Sequence, residues 1–165
     1  LTAMAEHIQR PEVGAVGARL LADEGTVQHA GIILGVNGIA DDACRGFPTE
    51  NGGARRPAQL TRNCSAVSGA CLLTRRNIFE ACGGFDEDVR LAPFADVDLC
   101  LKIRRAGYLI VYTPFATLRR HKADDRGCDP AAAEVMRQRW GHALQRDPYY
   151  NPNLSRARAD FSLGN

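Results

Sequence analysis

The chain has 165 residues, of which 45% are apolar and 24% charged, with a formal net charge of +2. That composition supports one substantial core and requires no second domain. A charge so close to balance gives no argument for nucleic-acid binding, so no nucleic-acid partner is expected, and no run of about 18 apolar residues reads as a membrane span.

From the start, Leu1-Thr2-Ala3-Met4 reads as the opening of a helix. Val13–Leu20 and Thr26–Leu34 read as strands, weakened by Gly14, Gly17 and Gly31. Residues 35–56, with their glycines, Pro48, Asn51 and charges, predict a long mobile loop. Ser65–Leu73 predicts a buried strand in which small Gly69 and Ala70 leave room for a close approach, and Arg75–Cys82 a short helix stopped at Gly83. Tyr108–Thr113 is a further strand closed by Pro114. Ala133, Met136, Trp140, Ala143 and Leu144 mark the longest helix between Pro130 and Asp147, followed by an extended polar tail over 148–165. Two neighbouring early strands with no helix between them imply an α/β fold, a mixed sheet flanked by helices.

The chemistry concentrates in Gly83-Gly84-Phe85-Asp86-Glu87 and Asp96-Val97-Asp98-Leu99-Cys100-Leu101-Lys102. Val97, Cys100, Leu101 and Ile103 recur at helical spacing and Gly107 supplies a stop, so Asp96 sits at a helix entrance. There the unpaired N–H groups and the dipole favour an ionised carboxylate. Two readings stand side by side: Asp96 caps the helix, or it accepts a proton or holds a hydroxyl. Asp98 is a first-turn charge that complements the dipole or touches a ligand. His7 and His142 read as surface, His29 as packed, and His121 as either a ligand or a structural residue. Trp140 docks its helix or stacks on a ring. Cys44, Cys64, Cys71, Cys82, Cys100 and Cys128 contain no Cys-x-x-Cys pair, which fits reduced thiols.

The run Ser65-Ala66-Val67-Ser68-Gly69-Ala70-Cys71-Leu72-Leu73-Thr74-Arg75-Arg76, then Phe79 to Glu87, Asp96 to Cys100 and Arg105-Ala106-Gly107-Tyr108, resembles the acceptor-side half of a family-2 glycosyltransferase. Pro11–Leu20, Val27-Gln28-His29-Ala30-Gly31, Arg139-Trp140-Gly141 and Asp147–Ser155 extend the likeness, the last toward rhamnosyltransferase-like members. The resemblance implies a GT-A fold of which residues 1–165 form a single partial domain, because the nucleotide-binding half and its Asp-X-Asp motif are not seen. It implies Asp96 as the general base of an inverting transfer, with Gly69, Ala70 and Asp98 near the acceptor and the 35–56 loop bordering it.

At Ala95 the family often has a second acid, and at Arg120-His121-Lys122-Ala123 it commonly has His-His-Glu-Ser. His121 is thus the implied metal ligand, or Arg120 and Lys122 clamp the diphosphate. The implied partners are a nucleotide-sugar donor and a glycan or lipid-linked acceptor, with a divalent cation (Mg or Mn) in the full-length protein that this piece does not keep. Bacterial surface polysaccharide synthesis, a cytoplasmic location at most peripheral to the inner face of the membrane, and self-association through an exposed sheet edge complete the expectation. The competing expectation is a non-catalytic glycan-binding or assembly module on the same scaffold.

Overall fold

The structure, a computed structural model, describes residues 1–49, 57–121 and 129–164. In chain order it forms α1 (Thr2–Ile8), β1 (Val13–Leu21), β2 (Val27–His29), β3 (Ile32–Leu34), β4 (Ala40–Asp42), β5 (Arg62–Cys64), β6 (Leu72–Thr74), α2 (Arg76–Ala81), α3 (Ala95–Arg105), β7 (Leu109–Arg119) and α4 (Pro130–Gln145). Short 3-10 turns fill Pro57–Gln59, Gly69–Cys71 and Val89–Phe94.

β1 is apolar almost throughout because both of its faces are covered, and it is the centre of the sheet. It runs parallel to β7, from Val13 opposite Leu109 to Leu21 opposite Arg119, and antiparallel to β2 and β6, while β5 lies antiparallel on the far side of β7. The sheet is therefore mixed, as the lack of an early crossover helix implies. Alternation along β1 and β7 divides the core. Val16 and Val111 face Met4 of α1, whereas Ala15 and Tyr112 face a larger cluster with Leu99 and Ile103 of α3 and Met136 of α4. Each buried side chain of that size contributes about 1.5–3 kcal/mol.

Five expectations are corrected in detail. Thr26–Leu34 is not one strand: Gly31 turns with φ +89°, which only glycine adopts cheaply, and separates β2 from β3. The 35–49 part of the expected loop is largely core, because β3 and β4 form a hairpin and Val36, Ile39, Ala43 and Cys44 are buried; residues 50–56 lie outside the described residues. Ser65–Leu73 is not a continuous strand. After β5 the chain runs extended to Ser68, whose side chain accepts the Ala70 N–H and starts the Gly69–Cys71 turn, which leaves Gly69 and Ala70 exposed. Pro114 does not end β7. Residues 114–116 loop out between Thr113, opposite Ala18, and Thr117, opposite Arg19, so the proline needs no ladder N–H and the strand resumes to Arg119.

Nor does the tail extend away. The Cys44 N–H donates to the Ala159 carbonyl at 2.9 Å, Leu154 bridges Leu163, and Arg62 lies over the Phe161 ring at 5.4 Å, so this segment covers the hairpin. Edge strands β2 and β5 have three residues each, which offers a second copy little edge to extend.

Candidate active site

Everything near Asp96 depends on the extended stretch Ser65–Ser68, which is pinned along its length. The Ser65 hydroxyl donates to Asp147 Oδ1 at 2.7 Å, the Ala66 carbonyl accepts the Ile32 N–H at 2.8 Å, and the Ser68 N–H donates to His29 Nε2 at 3.2 Å. Close packing makes this possible: at Gly17, a Cβ would fall 2.4 Å from Val67 Cβ, so only glycine lets the stretch lie on β1.

His29 is 2% exposed and receives two backbone donors at Nε2, from Ser68 and Gly31, each at 3.2 Å. With Nε2 the acceptor, the ring proton lies on Nδ1, which donates to Asp42 Oδ1 at 2.5 Å. Asp42 in turn receives Arg45 at 2.9 Å. His29 is therefore packed, as its sequence context indicates. Its role as the brace of the next loop is not visible in sequence, because its partners at Nε2 are backbone N–H groups, one of them 39 residues away.

The brace delivers Gly69. Its N–H donates to Asp96 Oδ2 at 2.9 Å, while the Val97 N–H donates to Asp96 Oδ1 at 2.8 Å. Helix α3 begins one residue before Asp96, at Ala95, because the Val89–Phe94 turn with Pro93 inside it feeds directly into the helix. Asp96 is thus not the N-cap but a half-buried carboxylate in the first turn, with one backbone donor on each oxygen. Ala70 sits beside it in the exposed turn. Such a carboxylate is oriented by fixed donors and can accept a proton from a hydroxyl.

Asp98 differs. It is fully buried, accepting Trp140 Nε1 at 2.8 Å and Arg139 Nη1 at 3.1 Å on Oδ1, with Lys102 Nζ 2.9 Å from Oδ2. The acceptor contact expected of Asp98 does not fit this enclosure, since no oxygen is presented to an opening. Asp86 joins the same network through Arg139 at 2.7 Å, and its carboxyl is held below the usual range by the Asp88 N–H and by Arg139. The Gly83–Glu87 segment therefore fastens α3 to α4, and Trp140 docks its helix.

His121 lies just beyond β7, 83% exposed, with Nδ1 2.8 Å from Asp23 Oδ1. A histidine and carboxylate in that direct pairing are not two ligands converging on an ion. Among the described residues no three His, Cys, Asp or Glu side chains come together as a metal site, so these residues do not fit a resident cation and no step is routed through one. Lys122 lies outside the described residues.

A family model described as glycosyltransferase like family 2 matches residues 7–143. The chain belongs to that family. A relative in Sinorhizobium fredii, the uncharacterized protein y4gI, is 41% identical over 172 residues, covering 99% of this chain and 19% of the relative. The O-antigen biosynthesis protein RfbC of Myxococcus xanthus is 38% identical over 175 residues, covering 99% of this chain and 13% of the relative. An N-acetylglucosaminyl-diphospho-decaprenol L-rhamnosyltransferase of Mycobacterium tuberculosis is 47% identical over 66 residues, 40% of this chain and 21% of that protein. This family-2 chain thus spans about a fifth or less of the length of the relatives that match it end to end. Among its described residues no helix is long and apolar enough to cross a membrane.

Proposed function

We propose that this chain forms the acceptor side of an inverting family-2 glycosyltransferase of GT-A type, with Asp96 as the general base. The observation that carries the reading is the Asp96 carboxylate, fixed by the Gly69 and Val97 N–H groups at the start of α3 and half-exposed beside a turn of small residues. In the reaction the acceptor hydroxyl gives its proton to Asp96 as its oxygen bonds to the anomeric carbon. The bond from that carbon to the donor phosphate breaks, and the nucleoside diphosphate leaves with the electron pair. Held donors and a held base supply orientation and a proton acceptor at the reacting oxygen.

The donor diphosphate and any divalent cation are held outside the described residues on this reading. The relatives named for O-antigen biosynthesis and for rhamnose transfer to a decaprenol-linked acceptor support a nucleotide-sugar donor, a glycan or lipid-linked acceptor and a place in bacterial surface polysaccharide synthesis. Ala95, where a second acid is common, favours the rival reading of a non-catalytic glycan-binding module.

Asp96→Asn in the full-length protein separates them. The substitution keeps the shape and one acceptor oxygen, so nucleotide-sugar binding by calorimetry stays unchanged while transfer falls by about 10²–10⁴-fold. Unchanged turnover would remove Asp96 from the mechanism.

A further inference from the structure

At the far end of α3 from Asp96 lies a cavity of about 400 Å³, with Leu101, Arg104, Arg105, Tyr108, Trp140 and Tyr149 on its wall. Asp96 is in the first turn of the helix and Arg104 in the last, about 12 Å along the axis at 1.5 Å per residue. We propose that this cavity binds a small ligand made of a flat ring and an oxyanion, a carboxylate or a phosphate. The inference goes beyond the transferase reading and makes no use of Asp96.

Size and lining come first. The volume falls within the ~300–1,000 Å³ of small-molecule pockets, which are mostly apolar with a few placed polar groups. This wall is of that kind, and its two arginines are its charged side chains. The Trp140 N–H is spent on Asp98 at 2.8 Å, so what Trp140 brings to the wall is ring surface.

Charge comes second. Arg90, Arg139 and Arg158 each meet a carboxylate within 3.2 Å. Among the described residues no carboxylate comes within ion-pair distance of Arg104 or Arg105. The partial negative charge at the C-terminal end of α3 accounts for basic residues in its last turn, but not for two that wall one cavity without a counter-ion.

The third observation is that both guanidinium groups are held in place. Arg104 lies over the Tyr149 ring at 5.3 Å and donates through Nη1 to Ser65 Oγ at 3.0 Å, while Arg105 lies over the Trp140 ring at 5.1 Å. Stacking fixes the planar forks and leaves most of their N–H groups to donate, so an oxyanion meets donors that are already placed. The fork geometry matches a carboxylate or a phosphate, and the neighbouring aromatic side chains give the ligand's ring a surface to pack on.

The test is nuclear magnetic resonance titration of the 165-residue chain with phenyl phosphate, benzoate, benzyl alcohol and inorganic phosphate. The signals followed are the Gly107 amide and the indole N–H of Trp140, the chain's one tryptophan. At least one of the two ring-bearing oxyanions is expected to shift both signals with millimolar affinity, ordinary for a ligand of about ten heavy atoms, and the tighter of the two identifies the oxyanion. Benzyl alcohol, which lacks the charge, and inorganic phosphate, which lacks the ring, are expected to bind at least about tenfold more weakly. Arg105→Gln should weaken the binding about tenfold with little change in melting temperature, because Arg105 is exposed and in no ion pair. Arg76→Gln, which removes the same charge from the exposed face of α2, should leave the affinity unchanged. Neither ring-bearing oxyanion shifting these signals, equal binding of benzyl alcohol or inorganic phosphate, or equal losses in the two arginine variants would each overturn the site. Turnover of Asp96→Asn reads the other end of α3, so the two proposals fail separately.

Discussion

Asp96 and Asp98 are two residues apart on the first turn of α3, and the molecule treats them in opposite ways. Positions i and i+2 point about 200° apart around a helix, so one carboxylate turns to the Gly69 turn and the other into the seam with α4. Asp96 is half-buried, and each of its oxygens receives a backbone N–H. Asp98 is sealed, and its partners include an indole, a guanidinium and an ammonium. An indole, a guanidinium and an ammonium commit Asp98 to the fold, where it joins two helices. The Gly69 and Val97 N–H groups orient Asp96 at the half-buried start of α3, where the proposed reading puts the base.

That contrast breaks most directly at Asp98. Asp98→Ala leaves Lys102 and Arg139 facing a buried seam without their shared anion and Trp140 without an acceptor. Breaking a buried pair in this way costs about 3–5 kcal/mol, read from urea unfolding of the chain. Asp96→Asn sets an amide NH2 against one of the two backbone donors, but on the half-exposed side, so it is expected to cost about 1–2 kcal/mol in the same measurement. Equal losses at the two positions would erase the distinction between a fastening and a functional carboxylate.

The brace behind Asp96 comes next. His29→Phe fills the ring space but leaves the Ser68 and Gly31 N–H groups without their acceptor, at about 1–3 kcal/mol for each buried orphan. Amide hydrogen exchange should rise at Ser68 and Gly69 while the buried centre of α3 keeps its protection. If those two amides stay protected, the turn is held by something other than His29.

How much of this was legible in the sequence depends on which force decides each position. Periodicity located α2, α3 and α4 to within a few residues, and the lack of an early crossover predicted the mixed sheet, because apolar spacing directly records burial. The Gly69–Cys71 turn was hidden, since Ser68 stops the strand by a side-chain hydrogen bond rather than by composition. Residues 35–49 read as loop for their glycines, yet Val36 and Ile39 anchor a buried hairpin. Asp96 and Asp98 were both legible as first-turn acids. Nothing local shows that Arg139 and Trp140, some forty residues later, close over only one of them.

The buried thiols add an alkaline response. Burial pushes Cys64 up to about 12 and Cys44 to about 11, against an ordinary thiol near 8.5–9. The folded state therefore keeps protons that the unfolded chain gives up. This stabilisation is fully present below about pH 8.5 and is lost as pH rises through the folded values. The urea midpoint should hold from pH 7 to 8 and fall between about pH 9 and 12, and Cys64→Ala should flatten that fall.

The finest adjustment is at Gly69. Its backbone lies outside the left-handed region, so alanine fits the chain without strain, but the new Cβ would come 3.3 Å from Asp96 Cβ. That contact is a few tenths of an ångström too close, and the carboxylate has to move by that much. Replacing glycine also restricts the unfolded chain, which favours the folded state by about 0.4–1 kcal/mol. Since a 1 Å misplacement costs about 10²-fold, a shift of a few tenths should slow transfer about 2–5-fold in the full-length protein. Gly69→Ala should thus raise the melting temperature slightly while lowering kcat. A carboxylate that only capped its helix would show the first effect without the second, so the divergence of the two readouts distinguishes a placed base from a structural acid.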